Sequence, residues 1–304
     1  MPDRHAPRRM AIARIAVAMV VVLIANVACA QHLIVLSSGD TLPYQQAIAG
    51  IQAAGLPVEV LHATGDVDAT LRAALLRAGR DGVVVTLGAH AAAIIAGATP
   101  GTPTVSCMVL GSDQAKPAAG TTVVPLEIPF DNLLPWLKRL LPDARNVGIL
   151  FDPTQNEQRA ADGAAALKRA GYAPLLETVS GPAALPAALK RLTNSADVLQ
   201  AIADTTVFNA EHSRALLLFS FRNRIPLVGP SEAWVRAGAL YAVDWDYADL
   251  GRYCAAIAAR QSSAGRAPAP PPPRTQVSVN LRSAEQLRIK WDPQLLREVN
   301  RVYE

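Results

Sequence analysis

Asp204 closes the apolar run Val198-Leu199-Gln200-Ala201-Ile202-Ala203, where a strand should end. A carboxylate in that place can hold a ligand ammonium or hydroxyl. It can equally cap the helix that follows, and one residue can do both. Ser37 and Ser38 stand similarly, after an apolar run and just before a helix, where hydroxyls and free backbone N–H groups can bind a carboxylate or simply cap. Further candidates in strand-end loops are Asp40, Gly88 and His90 in the first half of the chain, and Asp152, Thr205 and Ser231 in the second. Tyr44, Phe130 and Trp245 could wall an apolar ligand, although core packing is their plainer use. Asp246 and Tyr247 lie near an expected third crossing between lobes and are hinge candidates.

No catalytic constellation accompanies these residues. The chain has no G-x-x-x-x-G-K-[ST] loop, no G-x-G-x-x-G after a strand, no C-x-x-C, H-E-x-x-H or H-x-E, and no G-x-S-x-G. His32, His62, His90 and His212 are scattered singly and read as surface or satisfied residues rather than metal ligands. Neither a metal nor another cofactor is expected.

The elements that must position the candidates alternate strand and helix. Short apolar runs (His32–Ser37, Val58–His62, Gly82–Leu87, Thr104–Leu110) alternate with helical spacing over Tyr44–Ala54, Val67–Ala78 and Ala89–Ala96. Near-continuous β-branched runs between amphipathic helices imply a parallel sheet covered on both faces. A second series opens with an extended run at Thr121–Ile128. It continues through strands at Asn146–Phe151, Pro174–Val179, Val198–Ala203, Pro226–Gly229 and Ala239–Asp244, with helices between them. In open parallel sheets ligands sit outside the carboxyl ends of the strands, and that rule selects the loops named above. After this series come a strong helix at Tyr247–Arg260, a stiff Pro-rich spacer at 267–273, a strand at Arg274–Val279, and two helical stretches at Ser283–Ile289 and Pro293–Val302.

The N-terminus carries Arg4, Arg8, Arg9 and Arg14, then an apolar run from Ile15 to Ala25, then Ala28-Cys29-Ala30. A basic region, a short apolar region and an A-x-A site read as a secretory signal peptide cleaved after Ala30. The run is too short for a membrane span of about 20 residues. An uncleaved anchor or a lipidated Cys29 are the alternatives, and Asn26 spoils the lipobox of the latter. Over 304 residues the chain is 51% hydrophobic, 18% charged and 5% aromatic, with net charge +4. The sequence pI of about 9.1 hints at an anionic partner. Cleavage removes that hint: it takes four of the 29 basic residues and one of the 25 acidic ones, so the net charge falls by three. A near-neutral chain poor in aromatics has neither the basic stripe nor the stacking platform of a nucleic-acid binder. Of the two remaining cysteines, Cys107 falls in an expected buried strand and Cys254 in an expected helix. Both are read as buried free thiols, although an oxidising compartment would permit a bridge.

The second half of the chain carries a family resemblance. Leu140–Pro153 (LLPDARNVGILFDP) resembles the segment LLPDAKKVGVLYNP of bacterial ABC transporter substrate-binding proteins of periplasmic-binding-protein type I fold. Arg224–Gly229 (RIPLVG) is similar to KIPVFG, and Trp234–Leu240 (WVRAGAL) to LVKAGALA. Tyr247–Arg252 (YADLGR) is similar to YYDLGR, and Val279–Ala284 (VNLRSA) to INLKTA. Asp204 aligns with the acid of that family's PTDN segment. One departure stands out: where the family often shows NPGEANS, this chain has Asp152-Pro153-Thr154-Gln155-Asn156-Glu157-Gln158, so an amino-acid ligand does not carry over with the resemblance.

The resemblance implies an α/β fold of two tandem doubly wound parallel-sheet lobes with a hinge. Residues 31–120 plus 246–266 would form lobe 1, and 121–245 plus 274–304 lobe 2. It further implies a periplasmic protein that binds a small molecule, an amino acid or other small organic compound, and delivers it to an ABC permease. Two rivals keep the fold: a ligand-binding subunit of a membrane sensor, and an exported α/β enzyme, which no nucleophile–base pair supports.

Overall fold

The computed structural model describes residues 32–64, 67–79, 82–98, 101–111, 120–262 and 268–304. The leader expected over residues 1–30 lies outside them.

Five strands form the first sheet: β1 (Leu33–Ser37), β2 (Val58–His62), β3 (Val83–Leu87), β4 (Thr104–Val109) and β5 (Thr121–Pro125). Their order is β2-β1-β3-β4-β5, and every pairing is parallel. Three helices connect them: α1 (Leu42–Gln52), α2 (Val67–Ala78) and α3 (Ala89–Ala98). The runs Leu33–Ser37, Val83–Leu87 and Thr104–Val109 are buried at every residue, as strands covered on both faces must be. Their side chains alternate between two cores: Leu33, Val35, Val83 and Val85 face one, and Ile34, Leu36 and Val84 face the other.

The extended run at Thr121 was expected to open lobe 2. It pairs instead with β4 as the edge of the first sheet. Its alternating, half-exposed pattern is that of an edge strand, and the passage to the second sheet comes after Pro125.

The second sheet is built by β6 (Asn146–Phe151), β7 (Ala173–Thr178), β8 (Val198–Gln200), β9 (Leu227–Gly229), β10 (Tyr241–Trp245), β11 (Thr275–Asn280) and β12 (Arg301–Tyr303). The order is β12-β11-β10-β9-β8-β6-β7, parallel except for the β10–β11 pair. Its helices are α4 (Phe130–Leu140), α5 (Pro153–Arg169), α6 (Leu185–Leu192), α7 (Ala210–Asn223) and α8 (Glu232–Ala237). Within α4, Pro135 is accommodated while Leu133, Leu137 and Leu140 stay on the buried face.

The helix read over Pro293–Val302 is shorter than its pattern implied. Asp292 caps a single turn, α11 (Pro293–Leu296), that follows α10 (Leu281–Gln286). Asn300 then bonds Val277 through both its N–H and its side-chain oxygen, and residues 301–303 join the open edge of β11. The demand of an unpaired strand edge overrides local helical spacing here.

After β10 the chain returns to the first sheet. The helix α9 (Tyr247–Ser262) lies on α1, β3 and β4. The two helix backbones touch: a Cβ on Gly50 would stand 2.0 Å from the Ala248 carbonyl oxygen, and one on Gly251 2.0 Å from that of Ala47. This return also brings Cys254 to Cys107. The two form a disulfide with Cα atoms 6.6 Å apart, which corrects the reading of two free thiols. Pairing across 147 residues depends on where α9 docks, which neither local sequence segment encodes.

Candidate functional site

The carboxyl ends of β8, β9 and β10 open onto a cleft of about 250 Å³. Residues after β8 supply Ala201, Ala203 and Asp204; those after β9 supply Pro230 and Ser231; β10 supplies Val243 and Asp244. The first passage between sheets contributes Leu126, Glu127 and Ile128, α5 contributes Arg159, the start of α9 contributes Tyr247, and the end of β4 contributes Leu110. Residues from both sheets and from two of the passages between them thus share one cavity.

Asp204 is 6% exposed. Its Oδ1 accepts the N–H of Val207 at 2.7 Å and of Phe208 at 3.0 Å, while its Oδ2 is buried without a partner among the described residues. Burial pushes the carboxyl above its ordinary value; the Phe208 and Val207 N–H groups oppose that, and the nearby Asp152 adds to it. The helix that follows is capped by Asn209, whose side chain accepts the N–H of His212, so Asp204 braces the preceding turn rather than the helix. One oxygen is structural, and the other is buried without a partner among the described residues, on a residue that lines the cleft.

Three charged residues of the cleft were not among the sequence candidates. Glu127 accepts the N–H of Gly111 through Oε1, and its Oε2 is buried and without a partner among the described residues. Arg159 donates from Nη2 to the Ile128 carbonyl at 3.0 Å and lies 5.6 Å from the centre of the Phe130 ring, with Nε unpartnered among the described residues. Burial lowers its pKa, and the charges of Glu127 and Asp162 oppose that. Asp244 accepts from the Tyr247 hydroxyl and the Trp245 N–H, both at 2.9 Å, and from the Glu232 N–H at 3.2 Å. Burial drives its carboxyl upward against those three bonds. An acid within a strand, an arginine within a helix and a glutamate in a passage look like ordinary surface positions until the sheets are assembled. Trp234 and Phe208 meet edge to face at 6.0 Å and form an apolar wall with Leu126, Ile128 and Val243.

Of the sequence candidates for ligand contact, Asp204 and Ser231 line this cleft, as does the hinge candidate Tyr247. Ser231 precedes α8, and its side chain makes no capping hydrogen bond. Asp152 and Thr205 lie beside the cleft. Asp152 caps α5, accepting the Thr154 N–H at 2.9 Å and its hydroxyl at 2.7 Å. Burial acts upward on it, but the bonds from Thr154 and Thr206 outweigh that and hold it below its ordinary value. Thr205 donates to Gln155 Oε1 at 3.1 Å, and Gln155 donates to the Thr206 hydroxyl at 2.6 Å, which ties the two loops together. A second hollow of about 570 Å³ shares Glu127 and Arg159 with the cleft and is bounded by Gln155, Asn156 and Phe130.

The lobe 1 candidates do not reach the cleft. Ser37 donates to the Gly39 carbonyl at 2.7 Å, and Ser38 accepts the Ala91 N–H at 2.9 Å. Gly88, at φ +90°, packs so closely that a Cβ would stand 2.7 Å from both the Ser38 and the Tyr44 hydroxyl oxygens. Ser38 and Gly88 gather at Tyr44 at the carboxyl edge of the first sheet. Asp40 and His90 are exposed.

The model of the ABC transporter substrate binding protein family matches residues 47–303. The chain belongs to that family. Solved structures with the same two-lobed α/β architecture include the ABC domain in complex with L-Trp from Streptococcus pneumonia, at 21% identity and TM-score 0.60, covering 89% of this chain and 99% of that one. A ligand-free, open substrate-binding protein with adhesive properties from Clostridium difficile aligns at 16% identity and TM-score 0.67, covering 90% and 99%. A conserved domain protein from Vibrio cholerae aligns at 18% identity and TM-score 0.60, covering 90% and 99%. No curated protein sequence matches the chain. Family and fold together support a solute-binding role. Among the described residues of this family member, no helix is long and apolar enough to cross a membrane.

Proposed function

We propose that this family member is an exported, periplasmic binding protein that closes two lobes on a small ammonium-bearing molecule and delivers it to an ABC permease. The observation that carries the reading is Asp204: a nearly buried carboxylate with one oxygen spent on the fold and the other free, at the strand ends where ligands bind. Its ligand-facing oxygen would take the ammonium, the Phe208–Trp234 wall would take an apolar body, and Ser231 would add a hydroxyl. Ser37, Ser38, Asp40, Gly88 and His90 are assigned to the rim that meets the ligand on closure, with Asp152 and Thr205 holding the loops opposite. Lobe 1 is taken as residues 31–125 with 246–266, and lobe 2 as 126–245 with 274–304. Such closure is what a permease can read.

The Cys107–Cys254 bridge supports export, because disulfides persist in oxidising compartments. Expressed with its leader in a bacterial host, the protein should be recovered from the periplasm with Gln31 as its first residue. A retained leader would overturn the cleavage reading. The L-Trp bound by the pneumococcal neighbour makes aromatic amino acids and their amines the first probes. Thermal unfolding should shift upward with at least one of them, because a ligand that binds only the folded state stabilises it. A protein that neither responds to such a panel nor carries a small molecule in native mass spectrometry would refute the reading.

A further inference from the structure

We infer that the cleft selects a net-cationic, apolar-bodied amine over the zwitterionic amino acid of the same shape. This deepens the binding-protein reading above and rests on it.

The first argument is charge. Glu127, Asp204 and Asp244 line the cleft against one cation, Arg159, and no other Lys, Arg or His is among the described lining residues. Arg159 is already engaged. Its charge is shared by Glu127 and Asp162, its Nη2 holds the Ile128 carbonyl, and its face lies over Phe130. Among the described residues, therefore, neither Asp204 nor Asp244 is paired with a cation. The charges that act on them are further acids, Asp152 on Asp204 and Glu232 on Asp244, and Arg301, which shares a small hollow with Asp244, is paired with Glu232 at 3.4 Å. Their donors are neutral: two backbone N–H groups for Asp204, and the Tyr247 hydroxyl with two N–H groups for Asp244.

A carboxylate withdrawn from water without a counter-ion is costly, and a ligand ammonium would supply that counter-ion. The free Oδ2 of Asp204, on a residue 6% exposed, marks where it would sit. Within the cleft itself a ligand carboxylate would meet this acidic field with a single cation among the described lining residues, Arg159, whose charge Glu127 already shares.

The second argument is shape. The Phe208–Trp234 pair, Leu126, Ile128 and Val243 offer an apolar wall within a volume of about 250 Å³. An aryl or alkyl body fits that wall, and an aromatic face adds attraction for a cation beside it. The ligand class is a primary arylalkyl- or alkylamine.

The test is calorimetric titration of the mature chain, residues 31–304, with tryptamine and phenethylamine against L-tryptophan and L-phenylalanine. At least one amine should bind ten-fold or more tightly than its amino acid. Asp204→Asn, checked by its thermal melt to be folded, should weaken that amine at least ten-fold. Equal or tighter binding of the amino acids would overturn the inference and leave the binding-protein reading standing. Amine binding indifferent to Asp204→Asn would overturn it too. Should neither class bind, the inference fails, and a small molecule co-purifying with the protein in native mass spectrometry would show separately that the broader reading survives.

Discussion

On the proposed reading Asp204 gives one oxygen to the fold and the other to the ligand, so its substitutions should separate the two. In Asp204→Asn the side-chain oxygen can still accept from Val207 and Phe208, while the buried charge is gone. Because burial raises this carboxyl, the folded state takes up its proton more readily than the unfolded chain. Stability therefore falls as pH rises from the ordinary value of 3.8 through the raised folded value, and above that window the charge is a standing cost. Asp204→Asn should leave the unliganded protein equally or more stable at pH 7. Asp204→Ala, which strands two N–H groups, should cost about 1–2 kcal/mol. Urea unfolding checks the order, and an Asn variant less stable than the Ala variant would refute the division of labour. Asp204 and Ser231 were legible in the sequence because both follow strand-like runs, where a general rule places ligands. Glu127, Arg159 and Asp244 were not, since each becomes part of the cleft only through contacts made far away in sequence.

Among the elements, the contact of α1 with α9 is the tightest joint. Gly50 and Gly251 meet backbone to backbone, with a carbonyl oxygen where each Cβ would go. A methyl group on either forces the helices apart, and overpacking of this kind costs roughly 1–3 kcal/mol or more. Gly50→Ala and Gly251→Ala should each lower the urea midpoint. Since one displacement relieves both clashes, the double variant should lose less than the sum of the two; strict additivity would contradict a shared joint.

A polar tie sits at the start of the same helix. Asp249 accepts the Arg274 N–H at 2.8 Å and the Arg252 guanidinium at 2.8 Å. Burial acts upward on it, but these bonds outweigh that and hold its carboxyl low. Its contribution is therefore present above the ordinary value of 3.8 and lost as pH falls through the lower folded value. Asp249→Asn should cost about 0.5–1 kcal/mol at pH 7, shrinking toward pH 3. A cost that does not change with pH would point to packing instead. Both helices could be read from their spacing. Their pairing could not, because amphipathic stripes show that a face is buried without naming its partner. The same limit explains β12, a strand that exists because β11 offers it an edge.

At the scale of the molecule, the chain leaves the first sheet after β5, builds most of the second, and comes back through α9. The Cys107–Cys254 bond closes that excursion, joining β4 to α9 across 147 residues of sequence. Everything from β5 to β10 hangs within the loop, and the rest of α9 and the segment from β11 through β12 lie beyond it on the C-terminal side. In the chain-entropy account a loop of this length restricts the unfolded state by about 5 kcal/mol. Because neither cysteine lines the cleft, the bond should act on stability and spare recognition. Intact mass spectrometry of the non-reduced protein should find it two hydrogens lighter than after reduction. Cys107→Ser/Cys254→Ser should unfold about 2–5 kcal/mol more easily, with affinity for whatever ligand the wild type binds kept within a factor of three. A lost affinity would place the bond in the positioning of the lobes. An unchanged stability would mean that α9 is held to the first sheet by its packing on α1, β3 and β4 without help from the bond, so the two sets of variants together apportion what fixes the return of the chain.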